Sequence, residues 1–121
     1  MLNCLAVGLG GFIGSVLRYL VGLIKLNEGF SFPVKTLAVN VLGAFVIGII
    51  AAMSLKNTGL DPRLVLFMKV GICGGFTTFS TYALESVQLF QSGKTFCAVA
   101  YIVLSVLLSV AAVFLAESLV K

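Results

Sequence analysis

Four long stretches of this chain carry almost no charge, and that pattern restricts its fold more than any other feature. Thr36–Leu55 is 20 residues without a charge and Thr95–Ala116 is 22. Leu2–Ile24 holds only Arg18, and Leu64–Phe90 only Lys69 and Glu85. About 20 apolar helical residues, each rising about 1.5 Å, cross a hydrocarbon core of roughly 30 Å. Of 121 residues, 60% are apolar and 10% charged, whereas soluble domains carry about 25% charged residues. A soluble fold of this composition would leave large apolar patches in water. The pattern predicts an all-α integral membrane protein, multi-pass in the cell (plasma) membrane. It is one domain over residues 1–121, with spans near 2–24, 36–55, 64–90 and 95–116.

The connections carry turn residues. Lys25–Lys35 contains Asn27, Gly29 and Pro33, Lys56–Arg63 contains Asn57, Gly59 and Pro62, and Gln91–Lys94 turns around Gly93. Leu2–Ile24 lacks a basic leader and a small-x-small cleavage site, so it reads as a span and not as a signal peptide. With four spans, both termini and the connection between spans two and three share one side, with Lys56, Arg63, Lys69 and Lys121. The other side holds Lys25, Lys35 and Lys94, with Arg18 if it snorkels outward from the end of span one. Orientation follows the Lys/Arg bias of short loops. A balance of about four against four predicts either insertion both ways, which lets one chain build an antiparallel dimer, or a weak bias resolved by the first helix.

Several function classes fall away. The net charge of +4 comes from basic residues scattered singly at helix ends, whereas nucleic-acid binding needs a clustered patch. Cys4, Cys73 and Cys97 are odd in number and lie inside apolar spans, which argues against a disulfide framework or metal site and for small buried hydrophobes. With no His and no nucleophile–base pair, the chain does not read as an enzyme.

Each span has an internal pattern. Gly8, Gly10, Gly11 and Gly14 permit close helix approach in span one. Asn40, Ala44 and Gly48 form a small-residue stripe with one amide in span two, and an amide in hydrocarbon needs a partner. It either links two helices or lines a path. Tyr101, Ser105 and Ser109 place three hydroxyls in register on span four.

Span three is the most specific. Val70–Leu84 reads VGICGGFTTFSTYAL, where a lipid-facing helix would carry leucine and valine. Gly74-Gly75 costs about 1 kcal/mol per residue of helix propensity relative to alanine, and Thr77-Thr78 offers competing side-chain bonds. A break here would free carbonyls before it and N–H groups after it. The carbonyls suit a hard cation and the amide end suits an anion. Phe79 and Tyr82 share a face, and aromatic ring edges are positive. Hydroxyls, the Asn40 amide and ring edges together favour passive movement of a small, strongly hydrated anion whose water is replaced by neutral donors.

At these residues the chain resembles the Fluc/CrcB family of fluoride channels along nearly its whole length. The matching pieces are GGFIGSVLRY (Gly10–Tyr19), TLAVNVLGAFVIG (Thr36–Gly48), GICGGFTTFSTYALE (Gly71–Glu85) and the Tyr101/Ser105/Ser109 ladder. The resemblance implies antiparallel dual-topology dimers of four-helix subunits with a break in the third helix and two fluoride pores. It implies passive fluoride export and a central structural Na⁺ held by backbone carbonyls. By position, Gly74 and Thr77 supply those carbonyls. Asn40, Phe79, Thr81, Ser105 and Ser109 line the pore, with Tyr101 near its end. Arg18 and Glu85 lie near the aqueous vestibule, and Glu85 matches the family glutamate after the aromatic pair. The family usually has Phe where this chain has Tyr82. A tyrosine keeps the ring edge and adds a hydroxyl that needs a partner when buried. Such a chain either conducts as a homodimer or pairs with a homologous subunit that supplies the intact aromatic lining.

Two rivals make different demands. A small drug–proton antiporter, also four-span and dual-topology, needs an embedded acid in its first span, and Leu2–Ile24 has none. A scaffold subunit, whose glycines and hydroxyls only pack helices, would carry no ion flux.

Overall fold

A computed structural model describes residues 1–25 and 32–120. Its elements are α1 (Leu2–Leu23), α2 (Val34–Lys56), α3 (Pro62–Leu66), a π-helical segment (Phe67–Cys73), α4 (Gly74–Phe76), α5 (Phe79–Gln91) and α6 (Thr95–Val120). The pieces from Pro62 to Gln91 form one 30-residue unit, so four units are long and apolar enough to cross a membrane. Large apolar side chains cover the outside: Leu5, Phe12, Val106 and Phe114 are all exposed. Only lipid or another protein surface makes that arrangement stable.

The ends of the spans follow local chemistry. Asp61 caps α3 by accepting from Arg63 N–H at 2.9 Å, with Pro62 at the first helical position. Gly93, at φ 80°, closes α5, and Lys94 N–H returns to the Leu89 carbonyl at 2.9 Å. The expected turn residues Asn27 and Gly29, and Lys121, lie outside the described residues. Arg63 Nε reaches Asn3 Oδ1 at 3.4 Å and Lys56 Nζ reaches the Val120 carbonyl at 2.9 Å. Both termini and the loop between spans two and three therefore share one end of the bundle. Lys35 donates to the Gly22 and Ile24 carbonyls at the other end, at 2.9 Å each.

Two helix pairs organise the interior: α2 runs along α6, and α1 lies along the π-helical segment and α4. The second pair is a contact between glycine backbones. A methyl group at Gly10 would sit 2.8 Å from Gly71 Cα, and one at Gly75 would sit 2.6 Å from the Gly11 carbonyl oxygen. Gly10 thus meets Gly71 and Gly11 meets Gly75, while Gly14 lies against the backbone of Ile72 and Phe76, so small residues let the two backbones approach closely. Against α6, Gly48 leaves room for Ala116, whose methyl would lie 2.8 Å from an added Cβ.

One expectation is narrowed and one corrected. The break expected across Gly74–Thr78 falls at its threonine end, because Gly74 is helical at φ −63°, ψ −37° and Gly75 serves the contact with α1. The chain leaves the helix at Thr77 (φ −84°, ψ 157°) and Thr78 (φ −147°, ψ 119°). Of the three cysteines only Cys73 is buried; Cys4 is exposed and Cys97 half-buried, since α1 turns Cys4 outward.

Candidate functional site

Asn40 of α2 determines the local geometry of the break. Its Oδ1 accepts the Thr78 N–H at 2.8 Å, and its Nδ2 donates to the Thr78 carbonyl at 3.1 Å. One amide side chain thereby satisfies both backbone groups of a residue that has left the helix. Thr78 Oγ1 in turn accepts from Thr81 N–H at 3.2 Å and caps α5. Thr77 donates both its N–H (3.1 Å) and its hydroxyl (3.0 Å) to the Cys73 carbonyl. In an unbroken helix Thr78 N–H would serve the Gly74 carbonyl and Thr81 N–H the Thr77 carbonyl. Both donors are engaged elsewhere. Arg18 Nε donates to the next carbonyl, Gly75, at 3.2 Å, so Arg18 folds onto the break and does more than snorkel outward.

Beside the break lies a cleft of about 350 Å³ that gathers seven of the eleven expected site residues: Asn40, Gly74, Thr77, Phe79, Tyr82, Ser105 and Ser109. No charged side chain lines it among the described residues. Phe79 is 79% exposed on its rim, with its ring 5.6 Å from that of Tyr82 and tilted by 50°. The row of rings continues from Tyr82 to Tyr101 at 5.3 Å and on to Phe32 at 5.5 Å. The Tyr82 hydroxyl donates to the Ile102 carbonyl at 2.9 Å. Its need for a buried partner is met on α6, and its ring remains on the cleft.

Ser105 stands apart. The hydroxyls of Ser86, Ser92 and Ser118 each donate to the carbonyl four residues back, at 2.7, 2.8 and 3.0 Å, the usual fate of a helical serine. Ser105, only 6% exposed, has no partner for its Oγ among the described residues. A buried hydroxyl without a partner costs about 1–3 kcal/mol. Where it lines a cleft, it is a vacant donor for whatever enters.

The remaining expected residues lie elsewhere. Arg18 and Thr81 line a second cleft of about 290 Å³ with Lys35, Thr36 and Thr78. Thr78 borders both clefts. Glu85 accepts from the Tyr101 hydroxyl at 3.0 Å and from the Thr36 hydroxyl at 3.1 Å, beside a third hollow that includes Lys94. Tyr101 is fully buried and lies behind Tyr82, not on the first cleft. Sequence reasoning missed Thr78 and Thr36 as site residues. Thr36 lies one turn before Asn40 on the same face, a spacing that extends the span-two stripe and was open to reading.

Comparison with known proteins places the chain among relatives. The profile of the family described as CrcB-like protein, Camphor Resistance (CrcB), matches residues 5–117. A protein named fluoride-specific ion channel FluC from Azobacteroides pseudotrichonymphae genomovar. CFP2 is 48% identical over 90% of this chain and 88% of its own length. One of the same name from Rhizobium meliloti (strain 1021) is 46% identical over 100% of this chain and 98% of its own. Another, from Ruminiclostridium cellulolyticum, is 44% identical over 100% and 94% respectively. With four membrane-length helices, a break in the third and these matches from end to end, the chain belongs to the CrcB family.

Proposed function

We propose that this chain is a subunit of a fluoride channel, not an enzyme, which lets fluoride leave the cell passively and so lowers cytoplasmic fluoride. The relatives are named fluoride-specific ion channels. The observation within the chain that supports it is Ser105 Oγ, buried and, among the described residues, unpartnered on an uncharged cleft. A dehydrated fluoride needs donors, and the cleft supplies the Ser105 and Ser109 hydroxyls with the edges of the Phe79 and Tyr82 rings. Asn40 has a second amide proton beyond the one given to Thr78. Thr81, with Arg18, borders the second cleft as its vestibule, and Tyr101, bonded to Glu85, lies in the aromatic row beyond Tyr82.

The cleft is open on one side and Phe79 projects from it. A second subunit, inserted in the opposite orientation, would close it. That partner is another copy of this chain or a homologous subunit. The Gly74 and Thr77 carbonyls, whose regular helical donors are diverted, fit a structural Na⁺, since unwound carbonyls are hard-cation ligands. The cation would hold the break open and is not transported.

Purified protein in liposomes, with fluoride efflux followed by electrode and chloride as control, tests the activity. Fluoride should leave and chloride should not; a scaffold would release neither. Single cysteines at opposite loop ends, labelled from one side of intact cells, should both react in part. Full protection of one end in every copy would contradict dual topology.

A further inference from the structure

We propose that Asn40 is a positioning residue for the cation: by holding the Thr78 N–H, it keeps the Gly74 carbonyl available as a ligand. This rests on the sodium reading above and goes beyond it, because it assigns control of the site to a side chain on a different helix.

The geometry supports a specific role over simple helix–helix linkage. A linking amide needs one hydrogen bond, and Asn40 makes two to the same residue, at 2.8 and 3.1 Å, across 38 positions of sequence. That is how a neighbouring strand holds an extended residue, and Thr78 is extended at φ −147°, ψ 119°. The diverted N–H has one intrahelical alternative, the Gly74 carbonyl four residues earlier. An N–H left unpaired in a water-poor bundle is costly. Without an acceptor at position 40, closing the helix through Thr77 therefore becomes the favoured outcome, and Gly74 O is withdrawn. The other cation ligand is released separately. Thr81 N–H turns to Thr78 Oγ1 and leaves the Thr77 carbonyl. Gly75, between them, is already engaged by Arg18 at 3.2 Å. Two side chains thus divide the carbonyls, one freeing Gly74 and the other occupying Gly75. Asn40 also lines the anion cleft, so one residue joins the cation site to the pore.

The test separates the acceptor of Asn40 from its donor and has sodium as its readout. Asn40→Asp keeps an oxygen facing Thr78 N–H, whereas Asn40→Ala removes it. Thermal melting of purified protein is titrated with NaCl against N-methylglucamine chloride. The half-stabilising Na⁺ concentration for Asn40→Asp should stay within about threefold of native, while Asn40→Ala should raise it by about tenfold or more, the equivalent of one lost buried acceptor. If Asn40→Ala does not accumulate, Asn40→Ser, whose hydroxyl is too short to reach Thr78, takes its place with the same expectation. A folded Asn40→Ala with native sodium dependence would overturn the proposal, as would Asn40→Asp behaving like Asn40→Ala. Native protein that ignores Na⁺ would overturn the cation reading and this inference with it. Native protein that responds to Na⁺ but passes no fluoride would overturn only the fluoride reading.

Discussion

Before the break, span three meets its neighbour through bare backbone; after it, side-chain hydrogen bonds hold the span. Upstream, Gly71 presses against Gly10 and Gly75 against the Gly11 backbone, while Gly14 packs on Ile72 and Phe76, with no room for a methyl group at Gly10, Gly14, Gly71 or Gly75. Downstream, Tyr82 is tied to the Ile102 carbonyl and Glu85 to Thr36 and Tyr101, while Thr78 is held by Asn40. The first half is placed by volume, and Gly71 and Gly75 tolerate no added atom. The second is placed by polarity, and its large rings border open space. This division leaves one half as a fixed support and the other free to present donors to the cleft.

Adding a single carbon should affect the two halves very differently. The largest effect is expected from Gly14→Ala, whose Cβ would overlap the Ile72 carbonyl and lie 2.8 Å from Phe76 N. Backbone on both sides cannot move aside, so the cost should reach or exceed the roughly 1–3 kcal/mol of ordinary overpacking. Little monodisperse protein should be recovered in detergent, and a native yield and melting temperature would break the contrast.

Phe79→Ile should do the reverse. The ring is 79% exposed within the subunit, so the melting temperature of the isolated subunit should barely move, but fluoride efflux should fall because the positive ring edge is gone. Efflux at the native rate would remove Phe79 from the pore.

The smallest effect belongs to Tyr82→Phe. It deletes one hydrogen bond, to Ile102 O, worth about 0.6–1 kcal/mol inside a membrane protein, and leaves the ring on the cleft. Fluoride efflux should persist. If it stops while the protein remains folded, the hydroxyl and not the ring edge is what the pore needs.

The presence of four membrane-length helices was legible from hydropathy alone, because hydrocarbon thickness sets helix length without reference to neighbours. The Tyr101/Ser105/Ser109 register was legible too, since helical period needs no tertiary knowledge, although Tyr101 turned out to face Glu85 and not the first cleft. The break was legible to within the Gly74–Thr78 stretch, but not its exact residues. Gly74-Gly75 has the lower helix propensity, but the outcome was decided by Asn40, 38 residues from Thr78, and by close packing that uses Gly75 as a contact. The π-helical segment Phe67–Cys73 has no sequence signature comparable to a cap or a turn. The separation of Arg18 and Thr81 into a second cleft depends on how the helices are set against one another, which local pattern does not encode.

A pair of serines on the same helix gives the decisive comparison. Ser118 on α6 already donates to the Phe114 carbonyl at 3.0 Å and is exposed, whereas Ser105 on α6 is buried without a partner among the described residues. Fluoride efflux from liposomes should be compared for native protein, Ser105→Ala and Ser118→Ala at matched reconstitution. Ser105→Ala should slow efflux by about tenfold, the loss of one donor to a dehydrated anion, while Ser118→Ala should match native. Native efflux from Ser105→Ala would contradict the assignment of this cleft as the fluoride path.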